Sequence, residues 1–226
     1  VYHRPEVTPV EAYRSGLRLV REAAGDDVFI LGCNVSQNMR TMGASFGLVD
    51  AMRVGPDNGP GLKSLRRGPW HGSNRYFLHG RVWYNDPDPV YVRKGMPIEH
   101  ARLICSWAAV TGQLTVASDW LPGLPADRLN LLRRAWPNHH LMPRPVDLFE
   151  QDLPRIWHLA WECGGARRDL VGLFNWDGKQ AARLALPAGR IGLAQAKAYV
   201  GFDYWADRFL PPFDGTLEAE VPPGAC

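Results

Sequence analysis

Short continuous apolar runs alternate with amphipathic stretches along the first 140 residues of the chain. The apolar runs predict four strands, at 28–31, 48–54, 82–84 and 114–117. A continuous apolar run is typical of a strand buried on both faces, as in a parallel sheet. Helical patterns cover 9–24, 97–111 and 125–135, whereas the Gly-, Pro- and Arg-rich stretch 55–80 predicts a loop. Strands separated by helices indicate parallel β/α units.

The first predicted helix carries a complete start signal. Thr8 is placed as the N-cap, Pro9 follows at the first helical position, and Glu11 stands three residues after the cap. This arrangement is a capping box, and Gly25 is a typical helix stop.

The pattern changes beyond about residue 140, where helical periodicity is absent. Strand-like runs with turn residues between them occupy 156–160, 170–176, 182–186, 196–200 and 217–221. They predict an antiparallel β domain. We therefore expect a partial β/α-barrel domain over 1–140 and a β domain over 141–226, with the boundary near 138–150. Four β/α units make half a barrel, so the chain is expected to be truncated.

Composition narrows the class of function. The 226 residues carry 26 Lys and Arg against 23 Asp and Glu, which is not the clustered positive charge of a nucleic-acid-binding protein. The Arg pairs at 66–67, 133–134 and 167–168 are interpreted as solvated surface. No apolar run reaches the ~20 residues of a membrane span. The four cysteines form no C-x-x-C pair, so no metal or cofactor is expected, and Cys105 is expected to be inert core.

The stretch 47–57 carries the strongest chemical signal. Alternation along an extended chain would place Arg53, Gly55 and Asp57 on one face, and Pro56 favours that extension. Active sites of β/α barrels lie at the C-terminal ends of the strands, so Asp57 is expected at the chemical end. A carboxylic acid near a cation in a partly apolar cleft can be tuned for proton transfer. In the alternative, Asp57 caps the loop and Arg53 forms a structural ion pair.

The other predicted strands also end in polar or reactive residues. Cys33 and Asn34 follow the first strand, Asp88 follows the third and Asp119 follows the fourth. Four such ends together indicate an active site lined by βα loops, although Asp88 and Asp119 could instead cap turns. Core packing is favoured over sugar stacking for the three tryptophans of these loops, Trp70, Trp83 and Trp120. Trp176 and Trp205 are expected in the core of the β domain.

Several motifs occur together in order along the chain. They are ILGC at 30–33, GLVDAMRVGPD at 47–57, WYNDPD at 83–88, RPVDLF at 144–149, GLFNW at 172–176 and FDYW at 202–205. This set resembles the melibiase group, the family 36 type of α-galactosidase. The resemblance implies an α/β fold, here the C-terminal half of a (β/α)₈ TIM barrel followed by an antiparallel β-sandwich. It also implies a glycoside hydrolase that cleaves terminal α-galactosides with retention.

The resemblance implies roles for individual residues. Asp57 matches the acid/base, Arg53 matches the arginine that contacts substrate, and Cys33 matches a cysteine that lines the sugar pocket. We further predict that Asn34, Asp88 and Asp119 bind substrate. The nucleophile, an Asp in a Lys-x-Asp motif, would lie upstream of residue 1 and ~5 Å from the acid/base. The isolated chain is therefore expected to be inactive, and Arg53 is expected to orient the sugar without pairing tightly with Asp57.

Two other functions compete with this hypothesis. The stretch 43–47 matches the G-x-S-x-G elbow of serine hydrolases around Ser45. That elbow requires a strand before the serine and a helix after it, whereas the pattern here predicts the reverse order. The second alternative is a non-catalytic carbohydrate-binding or structural module with a degenerate pocket. Such a module has no need of a protonatable carboxylate at residue 57.

Overall fold

The computed structural model describes residues 4–33 and 39–226. In chain order the helices are α1 (Pro9–Ala24), α2 (Met39–Ala44), α3 (Leu62–Leu65), α4 (Arg67–Asn74), α5 (Ile98–Thr111) and α6 (Ala126–Ala135). The strands are β1 (Leu31–Gly32), β2 (Ala51–Arg53), β3 (Tyr84–Asp86), β4 (Arg144–Pro145), β5 (Ile156–Cys163), β6 (Ala166–Leu173), β7 (Ala182–Pro187), β8 (Phe202–Asp203), β9 (Arg208–Phe209) and β10 (Thr216–Val221).

The first three strands form a parallel sheet in the order β1-β2-β3. Its register places Arg53 beside Asp86, so the ends of β2 and β3 lie at the same edge. The predicted fourth strand is instead an extended segment over 114–118. It is joined to the stretch after β3 by a parallel bridge between Val90 and Ala117. These contacts bring four strand ends along one rim, although β1 and β2 are shorter than the apolar runs that predicted them.

The three predicted helices are confirmed within a residue at each end. The capping box of α1 is present: the Thr8 hydroxyl accepts a hydrogen bond from the Glu11 N–H, and the Glu11 carboxylate accepts one from the Thr8 N–H. The prediction of a loop over 55–80 was wrong. That stretch contains α3, α4 and a 3₁₀ turn over 76–78, because its glycines allow close packing. A side chain at position 72 would collide with Trp107 and Gln113.

The apolar run 28–31 was predicted to be buried on both faces, and this was wrong. Val28, Phe29 and Leu31 are all exposed. In the described chain β1 hydrogen-bonds to β2 along one edge, so no neighbour covers its other edge. Helix α1 likewise has no buried residue, and Leu19 on it is exposed. The start of the chain thus presents an apolar surface.

The largest core cluster joins α5 to the following β-rich part. Trp107 of α5 meets Trp157 of β5 edge to face, with ring centroids 6.3 Å apart, and both indoles are fully buried. Phe174 and Trp176 stack in the same cluster. Aromatic burial of this size dominates core energetics. The predicted domain boundary at 138–150 lies between α6 and β5, in the stretch that carries β4.

The β-rich part is antiparallel throughout. Its pairs are β4 with β5, β5 with β6, β7 with β10, and β8 with β9. Four of the five predicted strands are therefore present. The fifth, 196–200, is not a strand and contributes one bridge between Tyr199 and Phe213. None of the helices in the described ranges has the length and apolar character needed to cross a bilayer.

Candidate active site

Arg53 is the centre of a cluster of carboxylates at the end of β2. Its Nη1 lies 2.9 Å from Asp57 Oδ1, its Nη2 lies 2.6 Å from Asp88 Oδ1, and its Nε lies 3.4 Å from Asp86 Oδ2. We call these four residues the Arg53 cluster. One guanidinium thus faces three carboxyl groups, and a guanidinium is well suited to several carboxylates because its donors form a rigid planar fork.

Asp86 and Asp88 are the buried members of the cluster. Their side chains are 4% and 6% exposed. Asp88 adopts a left-handed backbone conformation with φ of 79°, which Asp tolerates better than most residues. In that conformation its N–H donates to Asp86 Oδ1 at 2.9 Å. Its Oδ2 accepts from the Asn58 N–H at 2.6 Å, so Asp88 also fixes the loop that follows Asp57.

Burial sets the electrostatics of the cluster. It raises the pKa of Asp88, and the backbone N–H of Asn58 and the charge of Arg53 oppose that rise without cancelling it. Burial alone would lower the pKa of Arg53, but the charges of Asp88 and Asp86 reverse this and raise it. The guanidinium therefore stays charged while the buried carboxyl of Asp88 holds its proton more tightly than an ordinary Asp.

Asp57 is the accessible member of the cluster. Its side chain is 87% exposed and still reaches Arg53. The chain bends at 55–56 instead of remaining extended, and a side chain at Gly55 would face His71 of α4. The extended alternation predicted for 53–57 was therefore wrong, and the bend itself brings Asp57 back to Arg53. The expectation that Arg53 would not pair with Asp57 was also wrong, because the two form an ion pair.

Cys33 lies at the end of β1 with an exposed thiol. It is close enough to Arg53 to contribute to the raised pKa of the guanidinium. The structure thus brings Cys33, Arg53, Asp57 and Asp88 to one rim. Asn34, predicted to bind substrate, lies outside the described residues. The roles of these residues in binding stay predictions.

Asp119 is near the same rim but is engaged elsewhere. Its side chain is 4% exposed; Oδ1 accepts from Arg93 Nε at 2.7 Å and Oδ2 from the Val92 N–H at 2.6 Å. This is not the local turn cap that the sequence left open for Asp119, because both donors lie 26 or 27 positions earlier in the chain. The contacts hold the fourth strand end against the stretch after β3, which is a positioning task.

The tryptophans near the rim differ in exposure. Trp83 is buried, as expected, and its Nε1 donates to Asn85 at 3.0 Å. Trp70 is 45% exposed and Trp120 is 79% exposed, so the expectation of core packing was wrong for both. In the β-rich part, Trp176 is buried. Trp205 is half-buried and lies between the guanidinium groups of Arg102 and Arg134.

Sequence reasoning missed two residues of the site. Asp86 was not chosen as a site residue, although it lies beside Arg53 in the parallel register. Its position two residues before Asp88, at the end of the same strand, was the signal in the sequence that could have found it. Arg67 was interpreted as solvated surface, but its Nη1 donates to the Asp57 carbonyl at 2.9 Å. Arg66 beside it donates to the Trp176 carbonyl. Both arginines hold backbone segments in place through these carbonyl contacts. An isolated Arg pair in the sequence does not indicate such contacts.

The serine-hydrolase alternative fails on local structure. Ser45 is fully buried, and its hydroxyl lies 3.1 Å from the Tyr13 hydroxyl. Helix α2 precedes it and β2 follows it, which is the reverse of a nucleophile elbow. Within residues 4–33 and 39–226, no group of three His, Cys, Asp or Glu side chains is placed to hold a metal ion.

Comparison with solved structures finds the same fold in several glycosidases. α-Galactosidase I of Mortierella vinacea matches with a TM-score of 0.66 and 11% identity over 96% of this chain and 61% of its own. A GH27 β-L-arabinopyranosidase of Geobacillus stearothermophilus matches with a TM-score of 0.75 and 14% identity over 97% and 53%. An α-galactosidase of Saccharomyces cerevisiae matches with a TM-score of 0.71 and 12% identity over 96% and 66%.

These matches establish an α-galactosidase-like α/β fold. No protein-family model matches the chain. The chain spans between about half and two-thirds of the length of those three structures. The fold therefore corresponds to part of an α/β glycosidase.

Proposed function

We propose that this chain is the C-terminal half of a retaining α-galactosidase-like glycoside hydrolase and supplies its acid/base, Asp57. The observation that carries the proposal is the Arg53 cluster at the rim of the parallel sheet. The accessible carboxyl of Asp57 pairs there with Arg53, which the buried Asp86 and Asp88 hold in place. The cluster lies at the edge where β/α barrels have their active sites. A second support is that the chain shares its fold with several glycosidases.

The accessibility and contacts of Asp57 support an acid/base role for its carboxyl. A proton donor to a departing glycosidic oxygen must reach substrate and then solvent water, and the Asp57 side chain is accessible. Its backbone is held by Arg67 and its carboxylate by Arg53. In a double displacement, a nucleophilic carboxylate attacks the anomeric carbon while the acid protonates the leaving oxygen. The same residue then removes a proton from the attacking water.

Arg53 and the buried carboxyls hold this acid in place. Because Arg53 is itself fixed by Asp86 and Asp88, it has a defined position from which to orient Asp57. The same guanidinium can share its donors with hydroxyl groups of a bound sugar, for which Cys33 would form a neighbouring wall. Asp88 and Asp119 would act on the sugar through the loops that they fix, and Asn34 completes the predicted set.

The nucleophile is proposed to lie in sequence that precedes the chain. The exposed apolar residues of β1 and α1 support this, because a further parallel strand and its helix would cover them. Residues 1–140 would then form the last four β/α units of a (β/α)₈ barrel, and 141–226 would form a β-sandwich. The assignment to family 36 rather than GH27 rests on the motifs, and the substrate would be a terminal α-galactoside.

The test combines two measurements. The pure 226-residue chain should not hydrolyse an aryl α-galactoside, because it lacks a nucleophile. The full-length protein should hydrolyse it, and Asp57→Asn should lower kcat/KM by about 10²–10⁴-fold, the usual contribution of general acid–base catalysis. The loss should be larger for poor leaving groups, since these need the proton more. Asp214→Asn, in an exposed turn before β10, is the matched control and should leave the rate unchanged.

The alternative is a non-catalytic carbohydrate-binding or structural module. The ion pair between Asp57 and Arg53 favours it, because such a pair also stabilises a binding surface without chemistry. Wild-type rates in the full-length Asp57→Asn variant would remove Asp57 from the mechanism. Galactose binding without hydrolysis by the full-length protein would establish the alternative.

A further inference from the structure

A small cavity lies behind the Arg53 cluster, between the bend at 55–56 and helix α4. Its volume is about 200 Å³, and its lining residues are Gly55, Pro56, His71 and Arg75. Gly55 permits this arrangement: a Cβ there would lie 3.0 Å from the Cβ of His71. The wall of the cavity is thus the backbone that leads directly to Asp57.

The cavity is unusual in its charge. Arg75 is partly buried, and its Nη1 donates to the Val54 carbonyl and lies 3.3 Å from His71 Nδ1. No carboxylate of the described residues forms an ion pair with it. Burial lowers the pKa of Arg75, and no neighbouring negative charge opposes that effect. Arg53, in contrast, meets three carboxyl groups within the same part of the fold.

Donors remain available on the side chains of both Arg75 and His71. In the described part of the chain, the side-chain hydrogen bonds of Arg75 all use Nη1, so its Nη2 and Nε groups keep their N–H donors. A guanidinium has five such donors and no acceptor. His71 Nδ1 faces Arg75 as an acceptor, which places the donor N–H of the neutral ring on Nε2. Burial and the charge of Arg75 both lower the pKa of His71, which agrees with that neutral form.

We propose that this cavity binds a small oxyanion, held by the Nη2 and Nε groups of Arg75 and by Nε2 of His71. Buried charges are generally paired, and an arginine fork matches the oxygens of phosphate or carboxylate. The volume fits such a ligand, since one water occupies about 30 Å³ of liquid and the cavity has room for several. Phosphate and a carboxylate-bearing metabolite share this chemistry, and both carry charge that a neutral sugar substrate lacks.

The test is calorimetric titration of the 226-residue chain with inorganic phosphate and, separately, with acetate, at constant ionic strength set with sodium chloride. We expect saturable binding of at least one of them. Tighter binding of phosphate would identify a phosphate-type ligand, and tighter binding of acetate would identify a carboxylate. Arg75→Gln should weaken binding at least tenfold. Arg81→Gln, which removes the same charge from an exposed position, should leave binding unchanged.

Two results would overturn the proposal. One is the absence of saturable binding of either anion, and the other is equal binding by wild type and Arg75→Gln. Should Arg75→Gln fail to fold, the imidazole ¹⁵N resonances of His71 in the wild type would show whether the anion binds in the cavity. They should shift on addition of the anion, whereas those of exposed His140 should not. The test does not depend on hydrolase activity, so its outcome is independent of whether the proposed function is correct.

Discussion

Two polar clusters in this molecule combine hydrogen-bond donors and carboxyl groups in opposite ratios. In the Arg53 cluster, one guanidinium faces three carboxyls. In the β-rich part, one carboxylate, that of Asp169, is approached from two sides. His158 Nε2 lies 2.7 Å from its Oδ1, and Arg167 donates to both of its oxygens at 2.8–3.2 Å. We call these three residues the Asp169 cluster.

The balance between burial and hydrogen-bond donors decides the direction of the pKa shift of each buried carboxyl. Burial works against the ionisation of Asp169, but the hydrogen bonds from Arg167 and His158 outweigh it and lower its pKa. Burial dominates at Asp88 and raises its pKa, although Arg53 is 2.6 Å away. At Asp169 the hydrogen-bond donors outweigh burial, which is typical of a structural ion pair. At Asp88 burial outweighs the donors, so the buried carboxyl holds its proton more tightly than an ordinary Asp.

The largest effect is expected at Arg53. Arg53→Met would leave the buried carboxyls of Asp86 and Asp88 without their cation, which typically destabilises a protein by about 3–5 kcal/mol. The loss should be greatest near pH 7 and smaller near pH 4, because the abandoned carboxyls become protonated. Urea unfolding at the two pH values measures it. A loss below about 1 kcal/mol at pH 7 would show that the cluster does not depend on its guanidinium.

A smaller loss is expected at Asp169. Asp169→Asn removes charged hydrogen bonds and should reduce the free energy of unfolding by about 2 kcal/mol at pH 7. A lowered pKa stabilises the fold above the unfolded pKa, and that stability is lost as the pH falls through the folded value. The difference between wild type and variant should therefore shrink as the pH falls below about 4. A difference that is constant with pH would contradict the lowered pKa.

The pH dependence at Asp88 should have the opposite sign. A raised pKa stabilises the fold below the unfolded pKa, and this stability is lost as the pH rises through the folded value. The advantage of wild type over Asp88→Asn should therefore decrease as the pH rises from about 3 to 7. Unfolding curves measured alongside those of Asp169→Asn provide the comparison. Parallel slopes for the two variants would remove the distinction between the clusters.

The smallest effect on stability is expected at Trp120, on the rim of the Arg53 cluster. Because its side chain is 79% exposed, Trp120→Ala should change the free energy of unfolding by no more than about 0.5 kcal/mol. Trp107→Ala is the buried counterpart and should cost about 3–5 kcal/mol. Thermal unfolding distinguishes the two. A large loss at Trp120 would mean that it packs against the rim and is not available to a ligand.

Local signals in the sequence predicted the three longest of the described helices accurately. The capping box at Thr8 and Glu11 depends on residues three apart, so it needs no tertiary context. The stretch 55–80 shows the reverse case. Its glycines resemble loop residues in sequence, but Gly72 lies in helix α4, where Trp107, 35 positions later, leaves no space for a side chain. Distant contacts of this kind do not appear in local periodicity.

The candidate site was predicted in part for a similar reason. The rule that active sites lie at the ends of parallel strands placed Cys33, Arg53, Asp57 and Asp88 at one rim, although the alternation assumed for 53–57 was wrong. The same rules could not show that the chain bends at 55–56, nor that the Asp119 carboxylate accepts a hydrogen bond from Arg93. Each of those outcomes depends on which hydrogen-bond donor lies nearby in three dimensions.

The sequence by itself determined the three long helices, most of the strands and their order, because capping, turn residues and apolar periodicity act over a few residues. The tertiary structure alone decided which carboxyls share a cation, which are buried, and which one remains accessible. Those properties depend on distance and desolvation, and both arise only when segments remote in sequence are packed together. Asp57 and Asp88 are both aspartates that follow a strand, yet packing exposes the first and encloses the second.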